Sequence, residues 1–235
     1  MTRTAEDFYT KGDYFAENPT WHEERSPWKA GKILKLIEKH DIRPTSICEV
    51  GCGAGGVLNE LYLALPDTIV FHGYDISPQA HELSKAKTKD RLKFHLADFT
   101  RESDRFDDLL LVLDVFEHIE DYYGFLRALR EKAEYKIFHI PLEISVLRVL
   151  RSEPILRSRK KDGHIHYFTK ETALATLQDA GYQIIDQFFT AKSLELPATS
   201  FIYRLGKVPL QLASMLNKDM AARILGGYSL MVLAK

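Results

Sequence analysis

The stretch Ile47-Cys48-Glu49-Val50-Gly51-Cys52-Gly53-Ala54-Gly55-Gly56-Val57-Leu58 decides how the rest of the chain is read. Ser46 to Val50 is a β-rich run after Pro44, and Val57, Leu58, Leu61 and Leu65 recur at helical spacing until Pro66. The pattern is a short buried strand, a glycine turn and the first turn of a helix. Gly51, Gly53 and Gly55 let the backbone turn sharply and approach a ligand with no side chain between. Such a turn at the carboxyl end of a parallel strand is a nucleotide-type site.

Two ligand classes fit it. Gly51, Gly53 and Gly56 satisfy G-x-G-x-x-G, with the acid Asp75 roughly twenty residues on, as in dinucleotide sites. The alternative is the S-adenosylmethionine (SAM) loop, E-x-G-x-G-x-G. Glu49 separates them. A pyrophosphate at the helix N-terminus would be repelled by a carboxylate two residues upstream. SAM carries a sulfonium and an ammonium instead of phosphate, so an acid near the turn is favourable.

The 235 residues suit one α/β domain with decorations better than two domains. Lys and Arg (32) balance Asp and Glu (33), so no global basic field points to non-specific nucleic-acid binding. The start, Met1 to Asp7, has no apolar signal region, and no run is long enough to span a bilayer. Cys48 and Cys52 are the only cysteines. They make neither a disulfide framework nor a zinc site, and free thiols fit a reducing, cytoplasmic setting.

Residues 1–26 form an aromatic N-terminal arm (Phe8, Tyr9, Tyr14, Phe15, Trp21), read equally as surface packing or as a flap over the cofactor. Ser26-Pro27 starts a helix that ends before Pro44. Further strands are expected at Thr68–Tyr74, Leu92–Leu96, Leu109–Leu113, Tyr135–Ile140 stopped by Pro141, Tyr182–Phe189 and Ser229–Ala234. Helices are expected from Ser77-Pro78 to about Lys87, from about Glu120 to Lys132, and from the Thr169 cap to Ala180. Residues 142–163 and 198–225 interrupt the alternation as candidate acceptor-side inserts. Between Arg148 and Lys161 the first carries six basic residues and one acid. The order predicts a Rossmann-like, doubly wound seven-stranded sheet with its last strand antiparallel and helical inserts after strands 5 and 6, and a site on its carboxyl edge.

From about Pro27 to Lys235 the sequence resembles a class I SAM-dependent methyltransferase. Glu49 to Gly55 resembles that family's first motif, and Asp75 the acid that grips both ribose hydroxyls. Asp98-Phe99 resembles the pair beside the adenine. Asp114-Val115-Phe116-Glu117-His118 and His166-Tyr167-Phe168-Thr169 through Tyr182 resemble the ubiquinone-biosynthesis-like subgroup. The resemblance implies a cofactor site of Glu49, Gly51, Cys52, Gly53, Gly55, Asp75, Ile76, Asp98, Phe99, Asp114, Val115 and Phe116. A carboxylate is acceptor-only, so Asp75 suits a diol that offers two donors.

Methyl transfer to an oxygen, nitrogen or carbon of a small molecule needs mainly proximity and desolvation, and a base only where the acceptor keeps a proton. His118, after the fourth strand, is the candidate catalytic residue. His139 reads as a satisfied core residue; Tyr9 and Tyr14 enter only if the arm folds over the site. No metal is assigned. Asp114-x-x-Glu117-His118 with His164-x-His166 does resemble the metal-binding pattern of small-RNA 3′-end 2′-O-methyltransferases, which carry Glu where this chain has Asp114. A non-catalytic SAM-binding scaffold is the third reading. The basic, apolar 142–163 insert suggests an anionic or lipid-like acceptor and permits peripheral contact with a membrane surface.

Overall fold

The computed structural model describes residues 4–102, 105–197 and 208–235. Seven strands form one sheet: β1 (Ser46–Val50), β2 (Val70–Asp75), β3 (Leu92–Leu96), β4 (Asp107–Leu113), β5 (Ala133–Leu142), β6 (Ile184–Thr190) and β7 (Tyr228–Ala234). Their order is β3-β2-β1-β4-β5-β7-β6. β1 to β5 pair in parallel, and β7 runs antiparallel between β5 and β6. The strand order reverses between β1 and β4, so the loops after these strands flank a crevice.

β4 shows why the central strands read as unbroken apolar runs. Leu109 and Leu111 face one core with Ile33, Leu36 and Ile37 of α3 (Ser26–Lys39) and Leu58 and Leu61 of α4 (Gly56–Ala64). Leu110 and Val112 face the other with Leu126 and Leu129 of α6 (Tyr122–Arg130) and Leu177 of α9 (Lys170–Asp179). Both sheet faces are covered, so both parities must be apolar. Each such side chain contributes about 1.5–3 kcal/mol by leaving water.

Several element ends differ from the sequence expectation. β5 continues through Pro141 to Leu142, because β4 ends at its Leu113–His139 pair and leaves that side of β5 without a ladder. Ser26 does not cap α3 with its side chain; a 3₁₀ turn, Glu23–Arg25, runs straight into the helix. Thr169 does cap α9, with reciprocal bonds to Thr172. The 142–163 insert is two short helices, α7 (Val146–Arg151) and α8 (Glu153–Lys161). Of the 198–225 insert, residues 198–207 lie outside the described residues; the remainder forms α11 (Val208–Leu216) and α12 (Lys218–Ile224). The remaining helices are α1 (Ala5–Thr10), α2 (Asp13–Glu17), α5 (Pro78–Lys85) and α10 (Lys192–Glu195).

Candidate active site

The glycine turn is tied to the end of β2. The Gly51 and Cys52 amides both donate to the Tyr74 carbonyl, at 2.8 and 3.0 Å. The Gly53 amide donates to Asp75 Oδ2 at 2.8 Å, and the Ser77 amide to Oδ1 at 2.8 Å. Each carboxylate oxygen thus holds one backbone donor and keeps a lone pair for another. Burial raises the Asp75 pKa, and the Ser77 and Gly53 amides oppose the shift.

Gly53 has φ +52°, and a Cβ there would lie 2.4 Å from Cδ1 of Trp21. The turn therefore needs glycine twice over, for its left-handed backbone and for the indole packed against it. At Gly51 the same test meets Cγ2 of Val115 at 2.7 Å.

Glu49 is 3% exposed, and its Oε2 has no hydrogen-bond partner. Burial pushes its pKa up to about 8; Lys29 pulls down and Asp75 adds to the rise. A buried carboxyl with an orphaned oxygen beside a glycine cradle suits a cationic ligand.

Asp114 sits just past β4 with φ +58°, a left-handed backbone that Asp adopts more readily than most other non-glycine residues. Its side chain is fixed on both oxygens, by His139 Nδ1 at 2.6 Å and Lys29 Nζ at 2.7 Å. Burial opposes ionisation, but His139 and Lys29 outweigh it and hold the pKa well below the usual carboxylate range. His139 Nε2 is 2.9 Å from Thr190 Oγ1, so this histidine is a satisfied core residue, as its sequence context suggested.

A cavity of about 870 Å³ runs along the carboxyl edge. Gly51, Asp75, Ile76, Asp98 and Val115 line it together with Tyr9, Tyr14, Trp21, Asp114 and His118. Phe99 also borders it, yet its ring is 1% exposed and packs in the core on Tyr74, 4.9 Å between centroids. Asp98 accepts from the amide and hydroxyl of Thr100, at 2.9 and 2.7 Å. Phe116 and Cys52 are buried; Cys52 Sγ would meet a Cβ at Gly73.

The arm closes over this edge. Tyr9 Oη lies 2.7 Å from His118 Nδ1 and donates to the Asp162 carbonyl at 3.0 Å. Asn18 Nδ2 donates to the Lys161 carbonyl at 3.1 Å. Tyr14 packs on Trp21 at 4.7 Å, and Trp21 and His22 both adopt left-handed backbones. Burial lowers the His118 pKa to about 3. The ring therefore stays neutral at physiological pH.

The metal pattern of the sequence is only partly assembled. Glu117, His118 and His164 come together, their ligand atoms all within 4.8 Å of one another. Asp114 is engaged by Lys29 and His139, and His166 Nε2 lies 2.9 Å from the Ile119 carbonyl. Sequence reasoning gave no role to Glu143. It accepts from Ser158 Oγ at 2.6 Å and Arg148 at 2.9 Å and faces His164 Nδ1 at 2.7 Å. The Trp21–Gly53 contact also escaped it; both tryptophans falling before the glycine loop was the only hint.

The methyltransferase domain family matches residues 21–187, which is more than half of the chain. The solved structures it is similar to include magnesium protoporphyrin IX methyltransferase of Synechocystis PCC 6803 with bound S-adenosylhomocysteine. That pair shares 15% identity over 98% of this chain and 96% of the other, with a TM-score of 0.61. A putative methyltransferase of Haloferax volcanii, in complex with its Trm112 activator, shares 16% identity over 99% and 96%, TM-score 0.63. A putative sarcosine dimethylglycine methyltransferase of Galdieria sulphuraria shares 14% over 88% and 83%, TM-score 0.61. No curated protein sequence matches the chain. No helix among the described residues is long and apolar enough to cross a membrane. Glycine turn, buried acids, seven-stranded sheet and family match agree, and the chain belongs to the methyltransferase domain family as a SAM-dependent methyltransferase of the Rossmann-like class.

Proposed function

We propose that this enzyme methylates a small-molecule acceptor held under the N-terminal arm, beside His118. One observation carries the reading: a single cavity joins Asp75 and the glycine turn to Tyr9 and His118. SAM supplies a methyl group on a positive sulfur, open to in-line displacement. Asp75 takes the ribose hydroxyls on the lone pairs left by Gly53 and Ser77. Ile76 and Leu96, 37% and 49% exposed in the cavity, offer apolar surface to the adenine, with Asp98 for its exocyclic amine. Glu49, Gly51, Cys52, Gly53 and Gly55 shape the turn for the methionine part, and Asp114 and Val115 close it just past β4, with Phe116 packed in the core behind them.

His118 is the catalytic residue at the acceptor end. Its neutral ring is held through Nδ1 by Tyr9 and presents Nε2 there. The arm excludes water from the path of the methyl group, which favours a reaction that disperses charge.

The insert favours an acceptor with negative charge or an apolar tail. Leu150 and Leu156 are 76% and 62% exposed, beside Arg151, Arg159, Lys160 and Lys161. That surface also suits peripheral contact with an anionic bilayer. The test is to incubate the protein with labelled SAM and fractionated metabolite, lipid and RNA pools. Label in an anionic or lipid fraction supports the reading; label only in RNA, or in no fraction, overturns it.

A further inference from the structure

Glu117 is fully buried, and neither carboxylate oxygen has a hydrogen-bond partner. In its ionised form such a carboxylate is costly to bury unless something positive stands beside it, and otherwise it takes up a proton. Two imidazoles face it, and their hydrogen bonds fix what they present.

Tyr9 has one hydroxyl hydrogen. The Asp162 carbonyl, 3.0 Å away, can only accept it. His118 Nδ1, 2.7 Å from the same oxygen, then carries its own hydrogen and donates to Tyr9. Nε2 is left with a bare lone pair, 3.8 Å from Glu117 Oε1. His164 repeats the arrangement. Its Nδ1 donates to Glu143 Oε2 at 2.7 Å, and Glu143 is itself held by Ser158 and Arg148. Its other ring nitrogen would present a lone pair once deprotonated. Two imidazoles oriented through Nδ1 by oxygen acceptors, around an unpartnered carboxylate, match how proteins prepare metal ligands.

We propose that Glu117, His118 and His164 bind one divalent transition-metal ion at the acceptor end of the cavity. Two imidazole nitrogens and one carboxylate favour zinc-like ions over magnesium or calcium. Around such an ion, bonds of 2.0–2.1 Å would set tetrahedral ligand atoms about 3.3 Å apart. The present ligand atoms all lie within 4.8 Å of one another, so binding would have to draw them together. Three protein ligands leave a coordination position open. His118 lines the cavity, so that position is available to an acceptor oxygen.

The inference rests on the proposed acceptor end and names its chemistry: a hydroxyl, phenol or enol oxygen. Coordination lowers the pKa of that oxygen and its proton passes to solvent. The oxygen then forms the bond to the methyl carbon, the carbon–sulfur bond breaks, and its electron pair returns to sulfur as S-adenosylhomocysteine.

The test uses the full chain after treatment with a chelator. Zn²⁺ and Co²⁺ titrations are expected to show one saturable equivalent by calorimetry, a raised Tm, and a Co²⁺ visible band of a low-coordinate nitrogen and oxygen site. Mg²⁺ gives none of these. Glu117→Gln and His164→Ala should each lower Zn²⁺ affinity at least tenfold and remove the Co²⁺ band. Glu143→Gln should lower it about 10–100-fold, as outer ligands do. SAM affinity, measured in every variant, reports that the fold persists; His166→Ala should leave Zn²⁺ affinity unchanged. No saturable equivalent in the wild type, or wild-type affinity in both ligand variants, overturns the proposal. A protein that binds Zn²⁺ at these residues but transfers methyl to no acceptor would overturn the acceptor reading and keep the metal site.

Discussion

The two ends of the cavity are built differently. At the cofactor end the decisive contact, Gly53 to Asp75, spans 22 residues, within one strand-turn-helix-strand unit. At the acceptor end Tyr9 meets His118 across 109 residues and Asp162 across 153, and Asn18 meets Lys161 across 143. The first end hangs on sheet hydrogen bonds with cores on both faces. The second is a seam between an arm and an insert, held by a few polar contacts and an aromatic cluster. The first is preformed; the second, with few long-range polar ties, is where opening to admit a ligand would cost least.

The hardest way to break the contrast is Gly53→Val. The substitution forces a β-branched residue into φ +52° and drives its Cβ into Trp21. Strain alone costs about 1–2 kcal/mol. SAM binding should fall below detection by calorimetry while far-UV circular dichroism stays native. Wild-type affinity would mean that the cofactor does not approach this backbone. Asp75→Ala comes next. It removes a charged acceptor for the ribose diol and should weaken SAM by about 1.5–3 kcal/mol. It also strands the Gly53 and Ser77 amides, so Tm should fall with it. Unchanged SAM affinity in a folded variant would remove Asp75 from the site.

This contrast also explains what could be read from the sequence. The glycine turn, Asp75 and Asp98 lie at the ends of consecutive strands, where periodicity and turn chemistry speak for themselves. The unbroken apolar run Leu109–Leu113 in β4 likewise announced a sheet covered on both faces. The partner of Tyr9 had no such signal: no local rule links residue 9 to residues 118 and 162. Phe99 shows the opposite failure. Its position beside the site was legible, but the ring turns into the core, because packing on Tyr74 decides its direction. The sequence pattern around His118 likewise offered Asp114 and His166 together with Glu117 and His164. Only the fold separates them, by giving Asp114 to Lys29 and His139.

A third experiment sharpens the cofactor end through pH. Burial holds the Glu49 pKa near 8, above its ordinary value of 4.5. A sulfonium or ammonium nearby favours the ionised form, so SAM binding should release a proton below pH 8. Affinity should rise with pH, by less than tenfold per unit, and flatten above about 8. Calorimetry in buffers of different ionisation enthalpy measures the released proton. The sign reverses for folding: a raised carboxyl pKa stabilises the fold at low pH, and that contribution fades as pH climbs from 4.5 through 8. In Glu49→Gln the binding dependence should disappear and the folding dependence should weaken, leaving the share of another buried acid, Glu117.

Tyr9→Phe tests the seam itself. It deletes the hydroxyl shared by His118 and Asp162 and keeps the ring, at about 1 kcal/mol for such a bond. The acceptor KM should rise about fivefold with SAM affinity intact, and proteolysis within residues 4–20 should quicken. Equal susceptibility to protease would show that aromatic packing alone seats the arm.

The smallest effect belongs to the basic surface of the insert. Arg157 is already paired with Glu153, with contacts of 2.6 and 2.9 Å on one helix face, so reversing it would mostly disturb that pair. Exposed pairs of this kind contribute about 0.3–0.5 kcal/mol. Arg159 and Lys160 lie on the exposed surface of the same helix, and they are the better probes. A positive rim raises the local concentration of an anionic acceptor, and the effect decays over a Debye length of about 8 Å at physiological ionic strength. Arg159→Glu with Lys160→Glu should therefore raise the acceptor KM about twofold at low salt. The difference should vanish as salt increases, because screening removes from the wild type what the substitution removes from the variant. SAM affinity should not move, since neither Arg159 nor Lys160 lines the cavity. A KM that rises equally at all salt concentrations would point to lost packing of α8, and a KM that never changes would make these side chains ordinary solvated surface.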